Sequence, residues 1–428
     1  MKNLNLFGLL DRAGLPPEPL ARWASVFFTL CVATMLLSVA ASQTFLALSG
    51  LCYAAHLLSQ PSIPGFMPIK LPLALFCLTT VIPIFWSENP DASGFDIKKL
   101  VLFVILILTV NLMTSARQLE WAFKAIFVEA ALAGVWSVVE FVRQYHAVRL
   151  LHPGRVYTFM TEERITGFMG HWMNFGGQQM LALAALLSFL LFRGSGSNGQ
   201  ERGAHQPDPD SIWIVIAGIV MFSIVLNFTR GVWLGCAFVV IYLVARWRAR
   251  WLWLLPVLAA LLIFASPKLL KARLDSVLHP EAHPSEAIRL EMWDVGLRMI
   301  RKHPLVGVGP GNIVEMYPLY MPAGKTPMVG YHGHLHNDYI QFAAERGIPC
   351  LLAWLWMMMV LGVNDLRLYR KLGRLRWVAQ ASFAAWIALL VEGLVEFNFG
   401  STPVLMVYLF LAAAPFAAER IEALETEG

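Results

Sequence analysis

The sequence predicts an all-α polytopic membrane protein, with about twelve transmembrane helices and one large structured loop on the outer face. Three observations carry this. Hydrophobic residues make up 57% of the 428 residues and charged residues only 14%, against roughly 25% charged in a soluble domain. Mean hydropathy is +0.60. The apolar residues are gathered in runs long enough to cross a hydrocarbon core, about 17–25 residues each. Together these exclude an ordinary soluble enzyme.

Hydropathy places the spans at roughly 22–40, 43–59, 68–86, 97–114, 118–142, 171–192, 211–228, 231–246, 250–266, 347–365, 377–398 and 402–418. Ser38-Val39-Ala40 faintly resembles a cleavage site. The apolar run before it is long and further spans follow, so the first helix is expected to stay as a signal anchor. The five cysteines, Cys31, Cys52, Cys77, Cys236 and Cys350, fall in or beside apolar runs without metal-ligand spacing. They read as small buried apolar residues.

Orientation follows from the short loops. Arg367, Arg370, Lys371, Arg374 and Arg376 crowd one connection, and Arg246, Arg248 and Arg250 another. An even number of spans puts both on the side of the termini, which is therefore expected to be cytoplasmic. The net charge of +5 is spent largely on such loops. No segment resembles a nucleic-acid module, so no nucleic-acid partner is expected. The Gly/Ser/Gln-rich stretch from Gly194 to Asp210 reads as a flexible linker on the inner side.

The chain thus divides into a bundle of spans one to nine (1–266), an outer loop domain (267–346), and spans ten to twelve with a tail (347–428). The outer side also receives the segment 143–170 and the short turn Asn227–Arg230. All three outer segments are basic. Lys and Arg in short outer loops run against the usual bias, so Arg164 and Arg230 call for another reason to be there. In the long loop, Ile288, Met292, Val295 and Met299 follow Pro284 and Ser285 at helical spacing. They predict an amphipathic helix that ends before His303-Pro304.

The loop closes on Tyr331-His332-Gly333-His334-Leu335-His336-Asn337-Asp338-Tyr339. A histidine at the mouth of a membrane helix can act as a general base near neutral pH, with Asn337 or Asp338 orienting its ring. Catalysis or substrate binding is the favoured reading of these histidines. Three histidines at alternate positions also admit a metal site, although a further spaced ligand group is missing. Plain capping of the next helix is the third reading. Arg164, Arg230 and Arg289 carry guanidinium groups that bind phosphate oxygens bidentately. Converging, they could hold a diphosphate and stabilise it as a leaving group without a metal. The alternative is that each snorkels or pairs locally, as Arg289 could with Glu286.

Gly307-Val308-Gly309-Pro310-Gly311-Asn312 lacks the context and lysine of a phosphate loop and reads as a tight turn. Glu392 and Glu396, one helical turn apart on the eleventh span, share a face. Glu396 approaches the outer mouth and is a candidate partner for an arginine.

In order and sidedness, these segments resemble the O-antigen ligase and polymerase superfamily. The motifs are Arg289 to Trp293, His303-Pro304-Leu305-Val306-Gly307-Val308-Gly309, and His336-Asn337-Asp338-Tyr339, together with Arg230 between two spans. They cover roughly residues 160–350. The resemblance implies a metal-independent, GT-C-like glycosyltransferase of the bacterial inner membrane with its site facing the periplasm and no cofactor. In the ligase, an O-antigen glycan moves from undecaprenyl diphosphate to a lipid A–core oligosaccharide. By motif, His336 would be the catalytic base. Arg164, Arg230 and Arg289 would bind the diphosphate, with His334, Asn337, Asp338 and Glu396 in support. Alternatives are an O-antigen polymerase, a protein O-oligosaccharyltransferase, or, in another class, a transporter of lipid-linked sugar. Asp208-Pro209-Asp210 has the Asp-x-Asp pattern of metal-dependent glycosyltransferases but falls in the inner linker, away from these residues.

Overall fold

The computed structural model describes residues 16, 18–87, 89–194, 210–265, 271–272, 284–324 and 333–427. Among the described residues all regular structure is helical. The first third carries α1 (Pro19–Val32), α2 (Val39–Ser59), α3 (Lys70–Val81), α4 (Pro90–Ile97) and α5 (Val104–Leu112). Then come α6 (Ala116–Leu151), α7 (Val156–Glu162), α8 (Trp172–Phe192), α9 (Asp210–Leu226), α10 (Arg230–Arg248) and α11 (Leu254–Ala265). Three helices, α12 (Pro284–Lys302), α13 (Ile313–Tyr320) and α14 (Asp338–Arg346), precede α15 (Ile348–Lys371), α16 (Arg376–Glu392) and α17 (Thr402–Glu427).

Five described helices are long and apolar enough to cross a membrane: Ala116–Leu151, Trp172–Phe192, Arg230–Trp251, Ile348–Lys371 and Thr402–Thr426. Shorter apolar helices occupy Pro19–Val32, Lys70–Trp86 and Asp210–Leu226. Burial separates centre from rim. From Val404 to Ala414 no residue of α17 is more than 3% exposed, as befits a helix that is apolar all round. Beside it, α16 packs on α8, α10, α15 and α17. On the rim, Leu132, Val135, Trp136 and Val139 of α6 and Phe238 and Ile241 of α10 point outward. Such a continuous apolar surface is a liability in water and is at home in hydrocarbon.

Several expected spans end elsewhere: the first stops at Val32, and those expected to end at 365 and 418 run on to Lys371 and Glu427. The α6 helix continues past 142 to Leu151 and stops at His152, just before Pro153, because a residue before proline disfavours helix. The stretch 97–114 is not one helix but a 3-10 turn, Lys98–Phe103, followed by α5. Lys98 and Lys99 head that turn, and two ammonium groups do not enter hydrocarbon readily. The eleventh span ends at Glu392, and 393–401 is a loop, so Glu396 does not share a helix face with Glu392. One helical bond does persist there, from the Glu396 amide to the Glu392 carbonyl at 3.0 Å. Residues 195–209 of the inner linker lie outside the described residues.

The amphipathic helix expected in the long loop is α12. It starts at Pro284, where the missing N–H is no loss, and ends at Lys302 before His303-Pro304. Met292, Val295 and Met299 are buried and join Ile313, Met316 and Tyr317 of α13, Leu335 and Ala344 in a second apolar cluster. The glycine-rich stretch is the turn that docks this cluster on α14. The amides of Val308 and Gly309 donate to the carbonyls of Ala344 and Glu345, both at 2.9 Å. The Gly311 amide donates to Glu345 Oε1 at 3.1 Å. Its donors are therefore used within the fold, not presented to an anion.

At Gly307, φ is +64°, and a Cβ would lie 2.3 Å from the Glu345 carbonyl carbon. Gly307→Ala is therefore expected to cost about 2–4 kcal/mol from backbone strain and overpacking. In detergent this reads as a drop of several degrees in the unfolding midpoint. Gly50→Ala, in open space on α2, should not lower it.

Candidate active site

Several helix ends meet at one end of the bundle. Asn227, between α9 and α10, donates to the carbonyls of Ile165 (3.1 Å) and Trp172 (3.2 Å). The Ser401 hydroxyl, just before α17, bonds Asn174 Oδ1 at 2.7 Å. A Cβ on Gly231 would meet Glu396 Cγ at 3.2 Å and Glu392 Cγ at 3.4 Å. The starts of α8, α10 and α17 and the end of α16 thus share this end. The loop helices join them through α14, where the Asp338 amide donates to the Gly393 carbonyl at 2.8 Å.

At the centre lies Glu396, fully buried. Its Oε2 is 2.7 Å from His336 Nδ1, and its Oε1 accepts from Arg289 Nη2 at 2.5 Å. Burial alone would raise the pKa of this carboxyl. The Arg289 charge, together with the interaction with the His336 ring, outweighs burial and holds it down to about 2. An ionised carboxylate can only accept hydrogen bonds. His336 Nδ1 therefore carries the proton in this contact, which makes Nε2 the basic nitrogen of the neutral ring.

His336 has φ +47°, and Phe228, two residues before Arg230, has φ +55°. These are the two non-glycine residues with positive φ among the described residues. Left-handed backbone costs such residues about 1–2 kcal/mol, and both sit where the candidate groups lie. Asn337 Oδ1 caps α14 by accepting from the Ile340 amide at 2.9 Å, and its Nδ2 donates to the Leu394 carbonyl at 2.7 Å. The capping role thus falls to Asn337, which frees His336 from that duty. Asp338 is buried, and its Oδ1 accepts from the Phe399 amide at 3.3 Å. Burial lifts its carboxyl well above the usual range. The Phe399 amide works against this and the Glu396 charge works with it.

The His334 ring stands edge-on to that of His336, with centroids 4.2 Å apart. Tyr331 and His332 lie outside the described residues. Among the described residues, no three or more His, Cys, Asp or Glu side chains are arranged to hold a metal.

The three arginines reach this end by different routes. Arg289 comes from α12 and is in direct contact with Glu396. Arg230 is the first residue of α10, one residue from the Gly231–Glu396 packing. Arg164 stacks its guanidinium over Trp172 at 4.0 Å and donates Nε to the Thr161 carbonyl at 2.8 Å. Its segment is pinned by Glu140, which accepts from the amides of Thr166 and Gly167 at 3.0 Å. Sequence reasoning missed Glu140, Asn227 and Asn398, whose Nδ2 bonds Glu392 Oε1. An asparagine or glutamate at the edge of an apolar run was the only available signal.

Residues 214–355 match a family model described as O-Antigen ligase. The match holds Arg230, Arg289, the glycine-rich turn and His336 to Tyr339; Arg164 and Glu396 fall outside it. No curated protein matches the chain. Over residues 214–355, from α9 into α15, the chain is therefore similar to the O-antigen ligase family.

Proposed function

We propose that this chain is a twelve-span, GT-C-like and metal-independent glycosyltransferase at the periplasmic face of the bacterial inner membrane. It transfers O-antigen polysaccharide from undecaprenyl diphosphate to a sugar hydroxyl of lipid A–core. The observation that carries the reading is the buried Glu396 held by both His336 and Arg289.

An acceptor hydroxyl attacks the anomeric carbon of the lipid-linked sugar, and the bond to the diphosphate oxygen breaks. His336 Nε2 takes the hydroxyl proton as the bond forms. Glu396 fixes the ring tautomer and stabilises the imidazolium that results. Direct displacement inverts the anomeric centre. The leaving diphosphate gathers charge at the cationic end built by Arg289 and Arg230, with Arg164 beside them. Arginine has five N–H donors in a fork, and Arg289 brings that fork to the end where the diphosphate is proposed to sit. His334, Asn337 and Asp338 keep the His336 loop in place.

The test is reconstitution of the purified chain with undecaprenyl-diphosphate-linked glycan and lipid A–core. Glycan-bearing lipid A–core is the expected product. Lengthened lipid-linked glycan alone would assign the chain as a polymerase instead. Movement of intact donor across a vesicle without transfer would assign it as a transporter.

A further inference from the structure

Arg164 lies in an irregular stretch, 163–171, between α7 and α8, so no regular helix geometry sets where its guanidinium points. Tertiary contacts hold the stretch from two sides. On one side, Glu140 of α6 spends both carboxylate oxygens on it. Its Oε2 accepts from the Thr166 and Gly167 amides at 3.0 Å each, and its Oε1 accepts from the Thr166 hydroxyl at 3.0 Å. Two successive amides turned toward one carboxylate make the kind of concavity that binds anions, and Gly167, at φ +57°, supplies the bend. On the other side, Asn227 Nδ2 grips the stretch at the Ile165 and Trp172 carbonyls, while its Oδ1 accepts from the Thr229 hydroxyl. Asn227 thereby ties the Arg164 stretch to the turn that leads into Arg230. The α6 helix reaches that turn as well, since Phe141 packs on Phe228 with centroids 6.0 Å apart. One helical turn before Glu140, Trp136 stacks on Phe168 at 6.1 Å.

We infer that Glu140 is a positioning residue for donor binding. Through the Thr166–Gly167 turn it sets Arg164 in a fixed place relative to Arg230, with Asn227 as the link between the two arginine segments. The inference rests on the proposed role of Arg164 at the diphosphate, and Glu140 acts through that arginine rather than on the sugar. Holding the turn in advance spares the donor the cost of ordering a loop as it binds. A glutamine at 140 keeps the shape of the side chain. Its Nε2, however, is a donor and cannot accept from a second amide, so the turn loosens and Arg164 loses its place.

The test uses the purified full chain in detergent and radiolabelled undecaprenyl diphosphate, with thermal unfolding of the same preparations. Glu140→Gln is expected to bind this probe about tenfold more weakly, the weight of one charge-assisted hydrogen bond. Arg164→Ala should also bind it more weakly. Adding Glu140→Gln to Arg164→Ala should then cost less than about twofold more, because the turn has no guanidinium left to place. Thr166→Val removes only the hydroxyl contact and should lose about threefold, with the same dependence on Arg164; it serves if Glu140→Gln fails to fold. Wild-type affinity in folded Glu140→Gln overturns the proposal. So does an equal loss with and without Arg164, which marks a general structural role. Wild-type affinity in Arg164→Ala would remove that arginine from the donor site, and the inference with it.

Discussion

Removing His336 is expected to slow glycan transfer by about 10²–10⁴-fold, the usual range for a lost general base. Two substitutions separate this from misfolding. His336→Ala removes the ring but places alanine at φ +47°, where a Cβ is strained. His336→Asn suits that backbone, since asparagine tolerates the left-handed region, and its amide can still donate to Glu396. The asparagine variant should therefore unfold close to wild type, keep donor affinity, and lose turnover. Radiolabelled donor turnover, donor binding and thermal unfolding of the same preparations make the comparison. Wild-type turnover in either folded variant would remove His336 from the chemistry.

Loss of Arg289 should damage both stability and activity, through one cause. Glu396 is fully buried, with Arg289 at 2.5 Å. Removing one partner of a buried pair typically costs about 3–5 kcal/mol, because the other charge stays buried without compensation. Arg289→Ala should thus lower the unfolding midpoint markedly and abolish transfer. Adding Glu396→Gln removes the stranded charge, so the double variant should regain much of the stability and none of the activity. Arg289→Lys should keep most of the stability, yet bind the donor more weakly, since an ammonium lacks the planar fork. If the double variant were no more stable than Arg289→Ala, the pair would not be the source of the loss.

Periodicity and composition made much of this legible. The α12 helix could be read from Ile288, Met292, Val295 and Met299, and its end from His303-Pro304, because both signals are local. The apolar runs behind the five helices of spanning length were equally plain. Helix ends were less so. Hydropathy marks where the chain turns polar, and α6 stays helical nine residues beyond that point, to Leu151. Residue pairing was the least legible. Sequence offered Glu286 as a local partner for Arg289 and Glu396 as a partner for some arginine of the site; the fold brings Glu396 to Arg289 from 107 positions away. That contact depends on α16 ending at Glu392 and the chain turning at Gly393, where a Cβ would strike Asp338 Oδ2 at 2.4 Å. A close approach between two segments leaves no period in either. The same holds for Asn227 and Glu140, which fix the Arg164 segment by single side chains.

The proposed metal-free direct displacement at the anomeric carbon leaves its record in the anomeric configuration of the product. Wild-type chain, pretreated and assayed in EDTA, would be given a donor of known configuration and lipid A–core, and the new linkage read by NMR coupling constants. The expected result is full transfer in EDTA with the anomeric configuration inverted. A retained configuration, or transfer that disappears in EDTA and returns with a divalent cation, would contradict it.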